Sequence, residues 1–259
     1  MNITEIKQKI ENGAFDKDFS MLYGDVSAAR ARYTAACDSF CDIFSERDNI
    51  RLFSAPGRTE VGGNHTDHQH GCVLAGGVNL DVIAVVAPNN DGKVRIKSAG
   101  YDMDTVDICK LEKDESEHGR ASALIRGVLS RFKELGCTLS GFNAYTTSNV
   151  LKGSGLSSSA AFEVLVGNIV NGMFFEAKAD EITVAKIGQY AEREYFGKPC
   201  GLLDQMASSL GGFTYADFFD PAEPITEKIN LDIHSFGYTL CVVDTGGNHA
   251  NLTQDYADI

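Results

Sequence analysis

Three short stretches of the chain concentrate the residue types that do chemistry. The first is Leu151-Lys152-Gly153-Ser154-Gly155-Leu156-Ser157-Ser158-Ser159-Ala160-Ala161. Glycines let the backbone curl and approach a ligand closely. Free amides and the positive dipole end of a following helix then favour phosphate. Serine hydroxyls add donors or a hard oxygen for magnesium. The stretch is not a Walker A loop, since no Lys-Ser/Thr follows its second glycine, and it is not G-x-G-x-x-G. A plain Gly-containing connection with serine as an ordinary helix cap remains open on these residues alone.

The second stretch runs from Pro56 to Gly71 and holds Arg58, Glu60, Asn64, His65, Asp67, His68 and His70 among flexible glycines. Such convergent polar groups suit a polyhydroxylated ligand, each hydroxyl needing a donor or an acceptor. The three histidines with Asp67 suggest a transition metal as an alternative, but the standard zinc spacings are missing. The third pairs Glu192 with the run Gly197-Lys198-Pro199-Cys200-Gly201-Leu202-Leu203-Asp204-Gln205. Glu192 is a candidate hard ligand for magnesium. Asp204 falls near a helix start, where the dipole favours its ionised form. Taken singly, both carboxylates also fit ordinary surface or capping roles.

The elements that must position these residues follow from periodicity. A helix is expected over 26–47, with Ala28, Tyr33, Cys37, Phe40, Cys41 and Phe44 on one side. A short strand over 50–55 is expected to end at Pro56-Gly57, and a longer one over 72–87 is interrupted by Gly76-Gly77. Asn89-Asn90-Asp91-Gly92 forms a hairpin turn into an alternating strand over 93–99. An amphipathic helix over 119–135 stops at Gly136, and a strand over 141–147 feeds the Gly/Ser loop. A long apolar helix follows from about Ser158 to Phe175, and Asp180 caps another running to about Phe196. A shorter helix spans 202–210, and strands are expected over 212–219, 225–231 and 236–244. Strands and helices are mixed rather than alternating, which predicts α+β.

The composition narrows the field. At 43% hydrophobic and 23% charged, the 259 residues exclude wholesale disorder and suggest one large domain or two small ones. A formal charge of −13 disfavours nucleic-acid binding and a polybasic membrane anchor. No apolar run reaches the roughly 20 residues needed to cross a bilayer, and the polar N-terminus has no signal-peptide core. The seven scattered cysteines read as reduced and mostly buried. A cytoplasmic, acidic, globular protein is expected.

Together and in this order, the three stretches resemble the galactokinase branch of the GHMP small-molecule kinases, over roughly residues 26–259. Gly57-Arg58-Thr59-Glu60-Val61-Gly62-Gly63-Asn64-His65-Thr66-Asp67 is similar to the signature G-R-V-N-L-I-G-E-H-T-D-Y. Gly153 to Ala160 looks like the family's phosphate loop, and Cys200 to Gln205 like its catalytic-aspartate segment. The resemblance implies a two-domain α+β fold whose N-terminal part is related to a ribosomal-protein fold. Residues 1–236 would form that domain and 237–259 the start of a C-terminal domain, most or all of which lies outside the chain. It also implies transfer of the ATP γ-phosphate to the anomeric hydroxyl of galactose or a related sugar, with Mg2+.

Carried over residue by residue, Asp204 is the catalytic base and Arg58 its partner in stabilising charge. Glu60, Asn64, His65, Asp67, Gly201 and Tyr256 would line the sugar. Gly153, Ser154, Gly155, Leu156, Ser157, Ser158 and Ser159, with Ser98, would bind the nucleotide. Ser157 and Glu192 would sit on magnesium. Phosphoryl transfer has a loose transition state, so positioning and charge stabilisation are expected to dominate.

The chain departs from the family pattern at defined points. Glu60 and Asn64 stand where the signature has Asn and Glu, which replaces a charged acceptor by a neutral one. The W-x-N-Y that opens the family's helix reads Ala121-Ser122-Ala123-Leu124, so the aromatic expected beside the adenine is missing. A kinase-fold sensor that binds sugar and ATP without turnover is the alternative. The intact serine run Ser157-Ser158-Ser159 favours an enzyme.

Overall fold

The computed structural model describes residues 1–151 and 153–243. Among the described residues seven α-helices are formed: α1 (Ile3–Glu11), α2 (Asp16–Tyr23), α3 (Val26–Ile43), α4 (Ala121–Glu134), α5 (Ser158–Phe174), α6 (Glu181–Tyr190) and α7 (Leu203–Leu210). Seven strands join in one sheet: β1 (Arg51–Gly62), β2 (Cys72–Pro88), β3 (Lys93–Ser98), β4 (Met103–Asp107), β5 (Phe142–Ser148), β6 (Phe213–Asp217) and β7 (Ile225–Ile229). The fold is α+β, as its mixed element order predicts.

The 17-residue β2 is the spine. Along one edge it pairs antiparallel with β1, from Arg51 opposite Val86 to Gly62 opposite Leu74. Along the other edge the sheet branches. Val82–Pro88 pairs with β5, and Cys72–Gly76 pairs with β6. β3 then lies parallel to β5 and carries β4, while β6 carries β7.

The continuous apolar run of β2 is explained by burial on both faces. Ile83, Val85 and Ala87 pack under α1–α3 with Ile6, Tyr33 and Phe40. Val82, Ala84 and Val86 pack under α4 and α5 with Phe132, Val164 and Leu165. The first half of β2 turns Val73 and Ala75 toward Leu203, Met206 and Ala207 of α7. One buried carboxylate ties the layers together near the Gly/Ser loop. Asp81 accepts from Tyr23 Oη at 2.6 Å and from Ser54, and pairs with Arg32. Its carbonyl accepts from the Asn149 amide at the entrance to the loop.

Several expectations need correction. β1 does not end at Pro56-Gly57 but continues to Gly62 through two register shifts, because bulges absorb the proline and the glycines without ending the pairing. Ala29 rather than Ala28 faces the core of α3. All seven cysteines are free as expected, but only Cys37 and Cys137 are buried. The strand expected over 236–244 is not formed over its described part. Phe236 closes a short 3-10 turn, and Tyr238, Leu240, Val242 and Val243 are exposed. Tyr256 lies outside the described residues.

Candidate active site

The site is assembled where β1, the Gly/Ser loop and α7 meet. Gly57 makes the first contact possible, since a Cβ there would come within 2.9 Å of the Leu156 carbonyl. Its neighbour Arg58 donates its amide to that carbonyl at 3.1 Å. The Arg58 side chain, 8% exposed, then points across the loop. Its Nη1 donates to the Gly155 carbonyl at 2.7 Å, and its Nε and Nη2 both reach Asp204 Oδ1 at 2.7 Å. The second oxygen of Asp204 accepts from Ser157 Oγ at 2.6 Å. Arg58, Asp204 and the loop therefore form one unit, although Arg58 and Asp204 are 146 positions apart.

The loop connects β5 to α5 through left-handed residues at Gly153, Gly155 and Ser157. Ser157 is the residue before α5, yet its side chain makes no cap. It turns to Asp204 instead, which removes the ordinary-cap reading. Among the described residues, the amides of Gly155 to Ser159 donate to no protein acceptor. A helix start with free amides and an adjoining guanidinium is built to hold phosphate.

Asp204 is aimed by a second device. Asp67, 5% exposed in the 3-10 turn Thr66–Gln69, accepts from the amides of Leu202 and Leu203 at 2.8 and 3.0 Å. The carboxylate thereby seats the first turn of α7 through charge-assisted bonds. Gly201 is required beside it, because a Cβ would come 1.7 Å from Asp67 Oδ2.

Glu192 lies below the loop in a π-helical turn, Ala191–Phe196, that widens the end of α6. Such turns recur at functional sites. Its carboxylate is buried and accepts from Ser159 Oγ at 3.1 Å, Lys198 Nζ at 2.9 Å and Gln205 Nε2 at 2.7 Å. Burial would pull the Lys198 ammonium down, but the charge and hydrogen bond of Glu192, with Asp204 nearby, hold it above the ordinary lysine value. The Cys200 thiol is pushed up, first by burial and then by Glu192 and Glu163, and stays protonated.

Two sequence profiles divide this site between them. The galactokinase galactose-binding signature matches residues 38–88, which carry Arg58 and Asp67. The GHMP kinases N terminal domain matches residues 123–212, which carry the loop, Glu192 and Asp204. The chain belongs to the GHMP kinase family, in its galactokinase branch.

A galactokinase of Bacillus subtilis is 33% identical over 222 residues, 84% of this chain and 55% of that protein. A galactokinase of Lactobacillus helveticus is 37% identical over 210 residues, 79% and 53% of the two chains. The crystal structure of Lactococcus lactis galactokinase complexed with galactose matches with a TM-score of 0.70 at 25% identity, over 77% of this chain and 52% of that one. The chain spans about half the length of the curated relatives it matches.

Within this GHMP kinase domain the expected residues fall into separate groups. Glu60 turns toward His65, accepting from its amide at 2.8 Å and lying 3.2 Å from its ring Nε2. Asn64 is exposed with φ +54, a left-handed conformation that asparagine tolerates better than glutamate. The other two imidazoles diverge, His68 toward Asp67 and His70 onto the Phe219 carbonyl. Among the described residues no three His, Cys, Asp or Glu side chains converge as a metal cluster.

Ser154 bonds back to Leu151, and Ser98 pairs with Thr146 of β5 rather than with the loop. Ser157 is not brought to Glu192; Ser159 takes that place, because Ser157 is occupied by Asp204. Sequence reasoning gave no role to Lys198, Gln205 or Glu163. A lone glutamate inside the apolar α5 was the available signal for Glu163.

Proposed function

We propose that the full-length protein transfers the γ-phosphate of ATP to the anomeric hydroxyl of galactose or a close aldose relative. The observation that carries this is the Arg58–Asp204–Ser157 cluster at the mouth of a loop with free amides. In this reading the loop amides and the α5 dipole hold phosphate oxygens. Arg58 stabilises charge on the transferring group and on Asp204. Asp204 orients the sugar hydroxyl and takes its proton late, as a loose transition state allows. Asp67 keeps α7 in place, and Glu60 keeps His65 in place, beside the sugar.

The donor set fits a magnesium ion. Ser159 Oγ and Glu192 Oε1 are hard oxygens, and the Lys198 ammonium on the same Glu192 oxygen marks a place that accepts a cation. Bound there, the ion would neutralise phosphate charge. The acidic chain, in which no helix among the described residues is long and apolar enough to cross a membrane, fits a cytoplasmic enzyme of small molecules rather than a nucleic-acid or membrane binder.

The test is ADP release by the full-length protein across a panel of aldoses. Sugar-dependent release led by galactose or a near epimer is expected. Tight binding of sugar and ATP without release would replace the enzyme by a sensor.

Specificity is expected to hinge on position 64. Glutamate restored there adds a charged acceptor, so Asn64→Glu should tighten galactose binding by about 1 kcal/mol, roughly fivefold. Calorimetric titration of both proteins decides it. Equal affinities would show that residue 64 does not read the sugar.

A further inference from the structure

Gln205 and Glu163 are both buried, at 0% and 1% exposure, and they face one another between α7 and α5. The Gln205 Nε2 donates to Glu163 Oε2 at 2.9 Å and to Glu192 Oε2 at 2.7 Å, which uses both amide hydrogens. Two buried oxygens of this pair are left without a partner: Gln205 Oε1 and Glu163 Oε1. One is the oxygen of an amide and the other the second oxygen of the carboxyl group that the same amide already touches. Buried acceptors without donors are costly and rare. A single proton on Glu163 Oε1 remedies both, because its O–H can donate to Gln205 Oε1 while Gln205 Nε2–H returns to Glu163 Oε2. The result is a closed carboxylic acid–amide ring.

We infer that Glu163 is a positioning residue, which holds Gln205 in a paired acid–amide ring and through it fixes Glu192 and the first turn of α7 beneath the loop. Burial, and then the neighbouring charge of Glu192, raise Glu163 well above the usual carboxylate range. Among the described residues, the one ammonium hydrogen-bonded within this group, that of Lys198, is spent on Glu192. Gln205 stands between the two carboxyl groups, so its need for a donor at Oε1 holds whatever cation lies on the outer side of Glu192. Gln205 also follows Asp204 in the chain. The phosphate-loop helix, the π turn and the start of α7 are thus joined at one amide. The effect on turnover rests on the phosphoryl-transfer reading, whereas the pairing does not.

The experiment uses the full-length protein and its Glu163→Gln and Glu163→Ala variants. Glutamine offers the same acceptor and a neutral donor, so it restores the ring; alanine removes both. The infrared difference spectrum of wild type minus Glu163→Gln should contain the carbonyl stretch of a protonated carboxylic acid. A carboxylate band in its place overturns the pairing, even if no sugar is ever turned over. Kinetically, Glu163→Gln should keep kcat within about threefold, and Glu163→Ala should lose about 10–100-fold with galactose KM nearly unchanged. A folded Glu163→Ala with wild-type kcat, or a Glu163→Gln as impaired as alanine, overturns the positioning role. If alanine does not fold, the spectrum and the glutamine variant still decide.

Discussion

Asp204→Asn in the full-length protein is expected to lower kcat by about 10³-fold, within the range for losing a positioned acid–base group. Galactose affinity should stay within about threefold, because the interaction lost is one used in the transition state rather than the ground state. Asparagine keeps an oxygen for the two Arg58 nitrogens now on Oδ1. It loses the charge and presents an N–H donor or a neutral oxygen to Ser157, whose hydroxyl now donates to Oδ2. Arg58, 6% exposed, is then left beside a neutral group, so some loss of thermal stability accompanies the variant. Paired measurements of kcat and of galactose Kd separate the two effects. A variant with wild-type kcat would remove Asp204 from the chemistry.

Gly201→Ala is the second large effect, and it acts at a distance from the reacting groups. The added Cβ would come 1.7 Å from Asp67 Oδ2, which has no room to remain. Displacing Asp67 breaks two charge-assisted bonds to the amides of Leu202 and Leu203. A loss of about 2–4 kcal/mol follows, or a fall in Tm of roughly 5–15 °C for a domain of this size. Because Asp204 sits in the turn that Asp67 seats, kcat should also fall at least about tenfold. Asp67→Asn keeps a neutral acceptor and should lose less on both counts. An unchanged Tm in Gly201→Ala would mean that Asp67 does not hold α7.

Local signals were the ones the amino-acid sequence made legible. Asp180 caps α6 as its position before the apolar pattern predicts, accepting from the Thr183 amide at 2.7 Å. The Gly/Ser loop lies between a strand and a helix, as the strand-like run over 141–147 and the long apolar run after Ser158 predict. Pro56-Gly57 misled because a bulge and a chain stop share the same residues. The residues around Asp67 point to a polyhydroxylated ligand, not to a structural role. The bond of Asp67 to amides about 135 positions away is a tertiary fact with no local pattern. The serines show the same limit. Composition offers three equivalent hydroxyls, and only the turn of the backbone at Ser157 decides that this one meets Asp204 while Ser159 meets Glu192.

The branching of the sheet at β2 has a consequence in time. The edge of β2 over Cys72–Gly76 finds its partner only in Phe213–Asp217. During synthesis about 140 residues, roughly 7–28 s of translation, must emerge before that edge is covered. The β1–β2 hairpin can close early, because its strands are neighbours in the chain. Pairing as distant as β2–β6 is intrinsically slow. Until it forms, Val73 and Ala75 lie on an open strand edge of the kind that recruits other chains. A nascent chain halted before Phe213 would therefore display β1 and β2, with Arg58 and Asp67, while that edge is still bare. The same chain released after Asp217 would cover that edge with the strand that follows α7, the helix bearing Asp204.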